Sequence, residues 1–522
     1  MRWAQAAVSR DQLVLFSTKL DDIINHDDPV RAVDRVLEQV DWKPFEAIYD
    51  GQMGQPPIHP RILCGVILYG LICRTRASRK LEESLIVRTD FRWLAHGMSI
   101  DHSTISEFRR KHSEQLRDLF VQVVLIGREM GLVKFKRIGF DGTRVRSNNR
   151  KTGTRTPEQL RKAKQELAEQ FDRLAAKADQ EDDQDEESFG SENASSASPP
   201  LTDRQRLEEL ERMQRRVDAA LGELKKIEQS AETTPSRLPI TDPQSRLSKT
   251  KERGFAPSYT PTATVDIDSG MIVDESVIAA SNESSELIGT IQQVSEDYGL
   301  DGPVGEVLAD GLMASGENLA ACEAEGIDLY SPVPGAHSGE NPAVREDLSK
   351  PVPADQIDKL PTKTIKKEKR FDKQAFVYDA ASNVYWCPAG KALVRSSCYQ
   401  TTQAGRAIGR ERFRAAENEC SVCPFASKCL RGRAKYRQID RGEHEDAIDR
   451  QIAKMKQPES SEKYSRRRHA GERPFAVIKQ VFGVRQFLTR GLDSVSQEWR
   501  WSSIAFNLLR LIAESRFAGQ PP

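Results

Sequence analysis

The residues with the most chemistry to offer stand near the end of the chain, in Arg466-Arg467-Arg468-His469-Ala470-Gly471-Glu472-Arg473-Pro474-Phe475-Ala476-Val477-Ile478-Lys479. Arg468, Glu472 and Lys479 follow one another at helical spacings, so a helix through this stretch would project all three from one face. A carboxylate among cations also describes a surface ion-pair ladder. Two aspartates widen the reading. Phe140-Asp141-Gly142-Thr143 closes one apolar run and Leu308-Ala309-Asp310-Gly311 closes another, which adds two strand-end carboxylates to the helical one. Cutting or joining a phosphodiester needs an activated water or hydroxyl, neutralised charge on the phosphorus oxygens and a stabilised leaving group, and two Mg²⁺ ions about 4 Å apart supply all three. Mg²⁺ or Mn²⁺ takes oxygen ligands, so Asp141, Asp310 and Glu472 are the candidate catalytic and metal-binding residues for two ions. Arg467, Arg468 and Lys479 would hold phosphates beside them.

A second cluster is made of sulfur. Five of the eight cysteines fall between Cys387 and Cys429. Cys420 and Cys423 have the CxxC spacing that lets two thiolates grip one tetrahedral ion, and Cys387 and Cys429 are the best third and fourth ligands, with Cys398 in reserve. In a reducing compartment this clustering points to one structural Zn²⁺ rather than to disulfides, unliganded thiols being the alternative. Cys64, Cys73 and Cys322 lie in apolar helical segments and read as core thiols.

A chain of 522 residues exceeds one simple core and predicts roughly three domains. Net charge is zero, but its distribution is uneven: residues 179 to 192 are acidic, whereas 461 to 516 carry about twice as many Lys and Arg as acids, a footprint suited to a polyanion. The start of the chain lacks a signal-peptide pattern, and the longest apolar run, Ile62 to Cys73, is short of the roughly 20 residues that span a bilayer. The expectation is a cytoplasmic protein without a membrane partner, nucleoid-associated when bound to DNA.

The elements that must position these groups can be taken in order. Residues 1–130 read as an all-α domain, with Pro60 opening the core helix of a bundle. Asp101 or Ser103 caps a later helix, where Ile105 and Phe108 face inward and Arg109, Arg110 and Lys111 are left outside; a helix-turn-helix offering Arg109 and Arg110 to DNA fits this pattern, as does an ordinary amphipathic helix. Residues 131–150 and 255–334 alternate strands and helices as the core of a mixed-sheet α/β domain, with Arg144, in the strand run that continues past Asp141, a candidate DNA contact. Asp266 and Asp274 in its hairpin are rival metal candidates. Between them, 151–254 is a charged insertion: Leu160, Ala163, Leu167, Phe171 and Leu174 form one stripe, and Leu210, Met213, Val217, Ala220, Leu224 and Ile227 another, which predicts an antiparallel helical hairpin around an acidic linker. Residues 335–460 form the Cys-rich, β-containing insertion. Residues 461–518 return as helices carrying Glu472, with Trp499 and Trp501 available to stack bases or to pack inside.

This order of motifs resembles the DDE-type insertion-sequence transposases, in the branch whose third carboxylate sits in a Tyr-x2-Arg-x3-Glu-x6-Lys signature. Arg468-x3-Glu472-x6-Lys479 fits it, while Tyr464 precedes Arg468 by four residues and Ser465 takes the expected place. Further similarity lies in Phe140-Asp141-Gly142-Thr143, in Leu308 to Ser315, in Ile105-Ser106-Glu107-Phe108-Arg109, in Phe482-Gly483-Val484-Arg485-Gln486-Phe487 with Arg490-Gly491-Leu492, and in the Cys-Pro-x-Gly and CxxC-Pro elements. The resemblance implies an RNase H-like catalytic core, recognition of terminal inverted repeats, nicking at the element ends and transfer of the 3′-hydroxyl into target DNA. It also implies metal ligation by Asp141, Asp310 and Glu472, phosphate contacts from Arg468 and Lys479, DNA binding or dimerisation by the N-terminal helical domain 1–130, and a homodimer or higher oligomer on double-stranded DNA. Two other readings keep part of this picture: an RNase H-like nuclease without strand transfer, and a zinc-stabilised DNA-binding regulator with an inactive core. A zinc hydrolase fits least, because no HExxH is present.

Overall fold

The computed structural model describes residues 19–50, 56–149, 153–189, 201–229, 234–249, 254–279, 283–302, 304–365, 368–403 and 406–517. It is mixed α/β and divides into two compact units, one from segments 1–134, 265–277 and 472–522, the other from 135–264 and 278–471. Among the described residues no helix is long and apolar enough to cross a membrane.

The first unit is dominated by helices. Pro60–Ile72 is apolar nearly all round, begins on Pro at its first position and buries Leu63, Cys64, Val66, Ile67 and Leu68. Gly70 is required there: a Cβ would lie 2.4 Å from Leu81 Cδ2 and 2.8 Å from the Thr75 carbonyl oxygen. His102–Lys111 is capped by Asp101, whose carboxylate accepts from Thr104 N at 2.8 Å. The long helix Leu492–Phe517 packs on Ser113–Glu129 and on Pro60–Ile72, with Trp499 and Trp501 buried, so both tryptophans serve the core.

One ion pair ties the distant segments of this unit together. Arg76 donates to the carbonyls of Gly483 and Gln486, each at 2.8 Å, and to Glu498 Oε1 at 2.5 Å. The Glu498 carboxylate also accepts from the amides of Leu488 and Thr489. Both side chains are mostly buried, so removing one strands the other charge and the loop amides. Glu498→Ala should therefore lower stability by about 3 kcal/mol, read as the urea midpoint of unfolding. A loss below about 1 kcal/mol would reduce the pair to surface decoration.

The second unit is organised on a sheet. Strand β1 (Arg137–Gly142) is followed by the short β2 (Val145–Arg146), the long β3 (Phe255–Asp266), β4 (Glu306–Ala309) and β5 (Asp328–Tyr330). Their order across the sheet is β2-β3-β1-β4-β5, with β1, β4 and β5 parallel. Between β2 and β3 stand two long helices, Pro157–Phe189 and Leu201–Gln229. They pack together as a pair, with Leu160 buried against Ala220, Leu224 and Ile227 and with Lys164 paired to Asp218 at 2.7 Å. A separate five-stranded antiparallel sheet, built from Val377–Asp379, Val384–Trp386, Ala392–Gln403, Arg406–Ala415 and Gln438–Gly442, forms its own core around Phe371, Tyr385, Leu393 and Phe413.

Candidate functional site

The parallel register of β1 and β4 pairs Phe140 with Ala309. The next residue on each strand is an aspartate, so Asp141 and Asp310 stand abreast at the carboxyl ends of neighbouring strands, which lie about 4.8 Å apart. The apolar runs of the two strands are buried, whereas each aspartate is half-buried at the rim. Asp141 Oδ1 accepts from its neighbour Gly142 N at 2.9 Å, and Oδ2 is paired to Arg467 Nη2 at 2.9 Å. Burial pushes the Asp141 carboxyl up to about 6; Arg467 and the Gly142 amide pull it down, and the charges of Asp310 and Glu283 add to the rise. Asp310 caps the turn Gly311–Met313 by accepting from Leu312 N at 2.9 Å, and Ser331 Oγ donates to its carbonyl.

Glu283 is a member of this cluster that spacing alone does not reveal. Its carboxylate is buried, is paired to Arg144 at 3.2 Å, and lies so near Gly142 that a Cβ there would be 2.9 Å from Glu283 Oε1. The sequence signal is faint: a Glu in Asn282-Glu283-Ser284, ahead of an amphipathic helix. Arg144, expected as a DNA contact, is half-buried and donates to Glu283.

The remaining candidates are placed as follows. Glu472 belongs to the first unit and is exposed on the helix Arg467–Ala476, which carries Pro474 inside it. A wide turn, Val477–Val481 of π type, follows, so the 3.6-residue periodicity that would align Glu472 with Lys479 is interrupted between them. Lys479 lies in that turn and is half-buried. Gly471, directly before Glu472, sits in the second unit with its Cβ position 4.0 Å from Asp141 Oδ2. The Arg468 side chain lies outside the described residues. Arg110 is exposed. Arg109 corrects the expectation that it lies outside: it is half-buried, donates to the Arg76 carbonyl at 2.7 Å and is pushed down to about 10 by burial. The rival aspartates are occupied. Asp266 is buried in its turn, accepting from Ser269 N and from Lys134 N, and Asp274 is paired to Arg117 at 2.9 Å.

In the Cys-rich segment, Cys387 Sγ accepts from Lys391 N at 3.3 Å in a tight turn whose Gly390 has φ +74°. A Cβ at Gly390 would lie 2.2 Å from the Ser349 carbonyl oxygen. Burial raises the Cys387 and Cys429 thiols, Cys429 to about 12, and Cys420 and Cys423 are near enough for their charges to add to both shifts. Cys398 stands apart from these four, exposed on the strand Ala392–Gln403 beside Arg395. Among the described residues, no three His, Cys, Asp or Glu side chains converge closely enough to hold a metal ion as they stand.

Residues 18–111 match the family described as Transposase domain (DUF772), and residues 386–512 match the family described as Transposase DDE domain. These two matches indicate an insertion-sequence DDE transposase. No curated protein sequence matches the chain. The DDE match takes in Glu472, Lys479 and the four grouped cysteines, while Asp141 and Asp310 lie before it. DDE transposases are DNA-cleaving enzymes, and the family generally uses divalent metal ions.

Proposed function

We propose that this transposase binds the terminal inverted repeats of its element, cleaves a phosphodiester bond at each end and transfers the freed 3′-hydroxyl to target DNA. The observation that carries this reading is the placing of Asp141 and Asp310 side by side at the ends of β1 and β4. Strand order and the parallel run β1-β4-β5 support an RNase H-like core. The carboxylate oxygens of Asp141 and Asp310 fit Mg²⁺ or Mn²⁺, and Glu472 would be the third carboxylate ligand. When bound, the ions activate the attacking oxygen and stabilise the leaving one. Asp141 and Asp310 would hold the ions, and Arg110, Arg144, Arg467, Arg468 and Lys479 would bind phosphates of the duplex. Two ends must be held together, so the working form is at least a homodimer. Cys387, Cys420, Cys423 and Cys429 hold one structural Zn²⁺, which would draw the four thiols together.

The test is Mg²⁺-dependent cleavage and joining on DNA carrying the element's own ends, with Glu472→Gln as comparison. Wild type should cleave and join while the variant binds and does neither. Cleavage without joining would favour a nuclease, and binding without cleavage by wild type in any metal would favour a regulator.

Metal binding should also depend on pH in a direction set by Asp141. A carboxyl raised from about 4 to about 6 on folding stabilises the metal-free fold only while it is protonated, so that contribution is lost as pH rises from about 4 through about 6. A metal ligand must be deprotonated, and the apparent Mn²⁺ affinity should climb up to about tenfold per pH unit in the same window and flatten above it. Calorimetry across pH would show this, and Asp141→Asn should remove the dependence.

A further inference from the structure

Arg467 is the one cation ion-paired to the Asp141 carboxylate among the described contacts, and it faces Oδ2, the oxygen left after Gly142 N has taken Oδ1. Both side chains are only 16% exposed. The pair is incompletely satisfied on the arginine side: Arg467 Nε is buried and has no hydrogen-bond partner. Asp310 and Glu283 stand close enough to Asp141 to affect its charge, and Glu283 is already matched by Arg144. Arg467 therefore supplies the positive charge that balances Asp141 in the absence of any ion.

From this we infer that Arg467 is a displaceable counter-ion of the Asp141 metal site, a positioning residue that links metal binding to DNA binding. This deepens the proposed function and rests on its assignment of Asp141 as a metal ligand. A divalent cation at Asp141 brings positive charge to the oxygen that Arg467 now holds, and two cations cannot share it at contact distance without repulsion. Arg467 must withdraw. A DNA backbone offers the released guanidinium a planar, bidentate partner in a phosphate group, including a partner for the Nε that is unsatisfied now. By linkage, DNA that draws Arg467 away raises metal affinity, and metal raises DNA affinity by the same factor. Phosphate attraction is independent of sequence, so any duplex at low salt exerts this pull.

The experiment is Mn²⁺ binding, followed by the loss of the free-ion paramagnetic resonance signal, for wild type, Arg467→Gln, Arg467→Lys and Asp141→Asn, each with and without a short random-sequence duplex. Without DNA, Arg467→Gln should bind Mn²⁺ several-fold tighter than wild type, and Arg467→Lys should stay near wild type because the charge is kept. Adding duplex should tighten Mn²⁺ binding to wild type and change Arg467→Gln much less. Equal or weaker Mn²⁺ binding by a folded Arg467→Gln, or a DNA effect of unchanged size, would overturn the inference. If Arg467→Gln does not fold, the Arg467→Lys and wild-type duplex arms still decide: no effect of duplex on wild-type Mn²⁺ affinity refutes the coupling. Asp141→Asn separates the two levels. If it binds Mn²⁺ as wild type does, the metal-site reading itself fails; if it loses binding while Arg467→Gln is unchanged, only the counter-ion role fails.

Discussion

Asp310→Asn is expected to slow end cleavage in Mg²⁺ by at least about 10³-fold, a loss of roughly 4 kcal/mol of transition-state stabilisation. The fold should hardly notice. Asp310 accepts from Leu312 N through Oδ1, and an asparagine keeps a carbonyl oxygen for that bond; the Ser331 contact is made to the backbone carbonyl and survives as well. What the substitution removes is the negative charge beside Asp141, and a hard divalent cation depends on that charge. Single-turnover cleavage should be measured with the thermal midpoint and duplex affinity alongside. A variant that melts and binds DNA like wild type yet cleaves a thousandfold more slowly is the predicted result. Cleavage within tenfold of wild type would remove Asp310 from the catalytic set. Asp141→Asn is a less clean probe, because it also leaves the half-buried Arg467 without its anionic partner.

Why the two aspartates were readable from sequence, and their surroundings were not, follows from the range of the forces involved. Ile138 to Phe140 and Val307 to Ala309 are short apolar runs that end in Asp-Gly, and a buried strand that stops at a polar residue must place that residue at the sheet rim. Local pattern suffices for that. The pairing of β1 with β4 is a tertiary fact, as are the ion pairs Arg467 to Asp141 and Arg144 to Glu283, each joining residues far apart in the chain. No periodicity announces them. Arg109 is a different case. It lies four residues after Ile105 and one after Phe108, so helical phase already set it beside the buried stripe, and its charge outweighed its phase in the sequence reading. Between Glu472 and Lys479 the helical phase runs into a π-type turn, Val477–Val481, that Arg-Pro-Phe-Ala does not advertise.

Replacing Cys423 by serine is expected to produce the largest structural effect. The five-stranded sheet has a modest core of its own, and Cys387, Cys420 and Cys429 pack against it. Its ends are long loops and short helices, Glu417–Ser421 and Ala426–Cys429, too short to hold themselves together. A tetrahedral ion tying four points across such loops does what a core of this size cannot, and the turn at Cys387 already directs an amide of Lys391 at the sulfur, an arrangement that stabilises a thiolate. Without a cation Cys387 and Cys429 are held protonated, since burial raises both thiols and the charges of neighbouring cysteines add to it, Cys429 reaching about 12. Zinc uptake must therefore release protons, and it should be readable as such. Purified wild type is expected to contain about one zinc per chain by elemental analysis. Cys423→Ser should lose it, and the melting temperature should fall by about 10 °C, in line with a loss of several kcal/mol in a domain of this size. Strong chelator should do the same to wild type and nothing further to the variant. A zinc-free wild type that melts together with Cys423→Ser would leave the four cysteines as packed thiols, and the stability of this segment would then rest on Phe371, Tyr385, Leu393 and Phe413 alone.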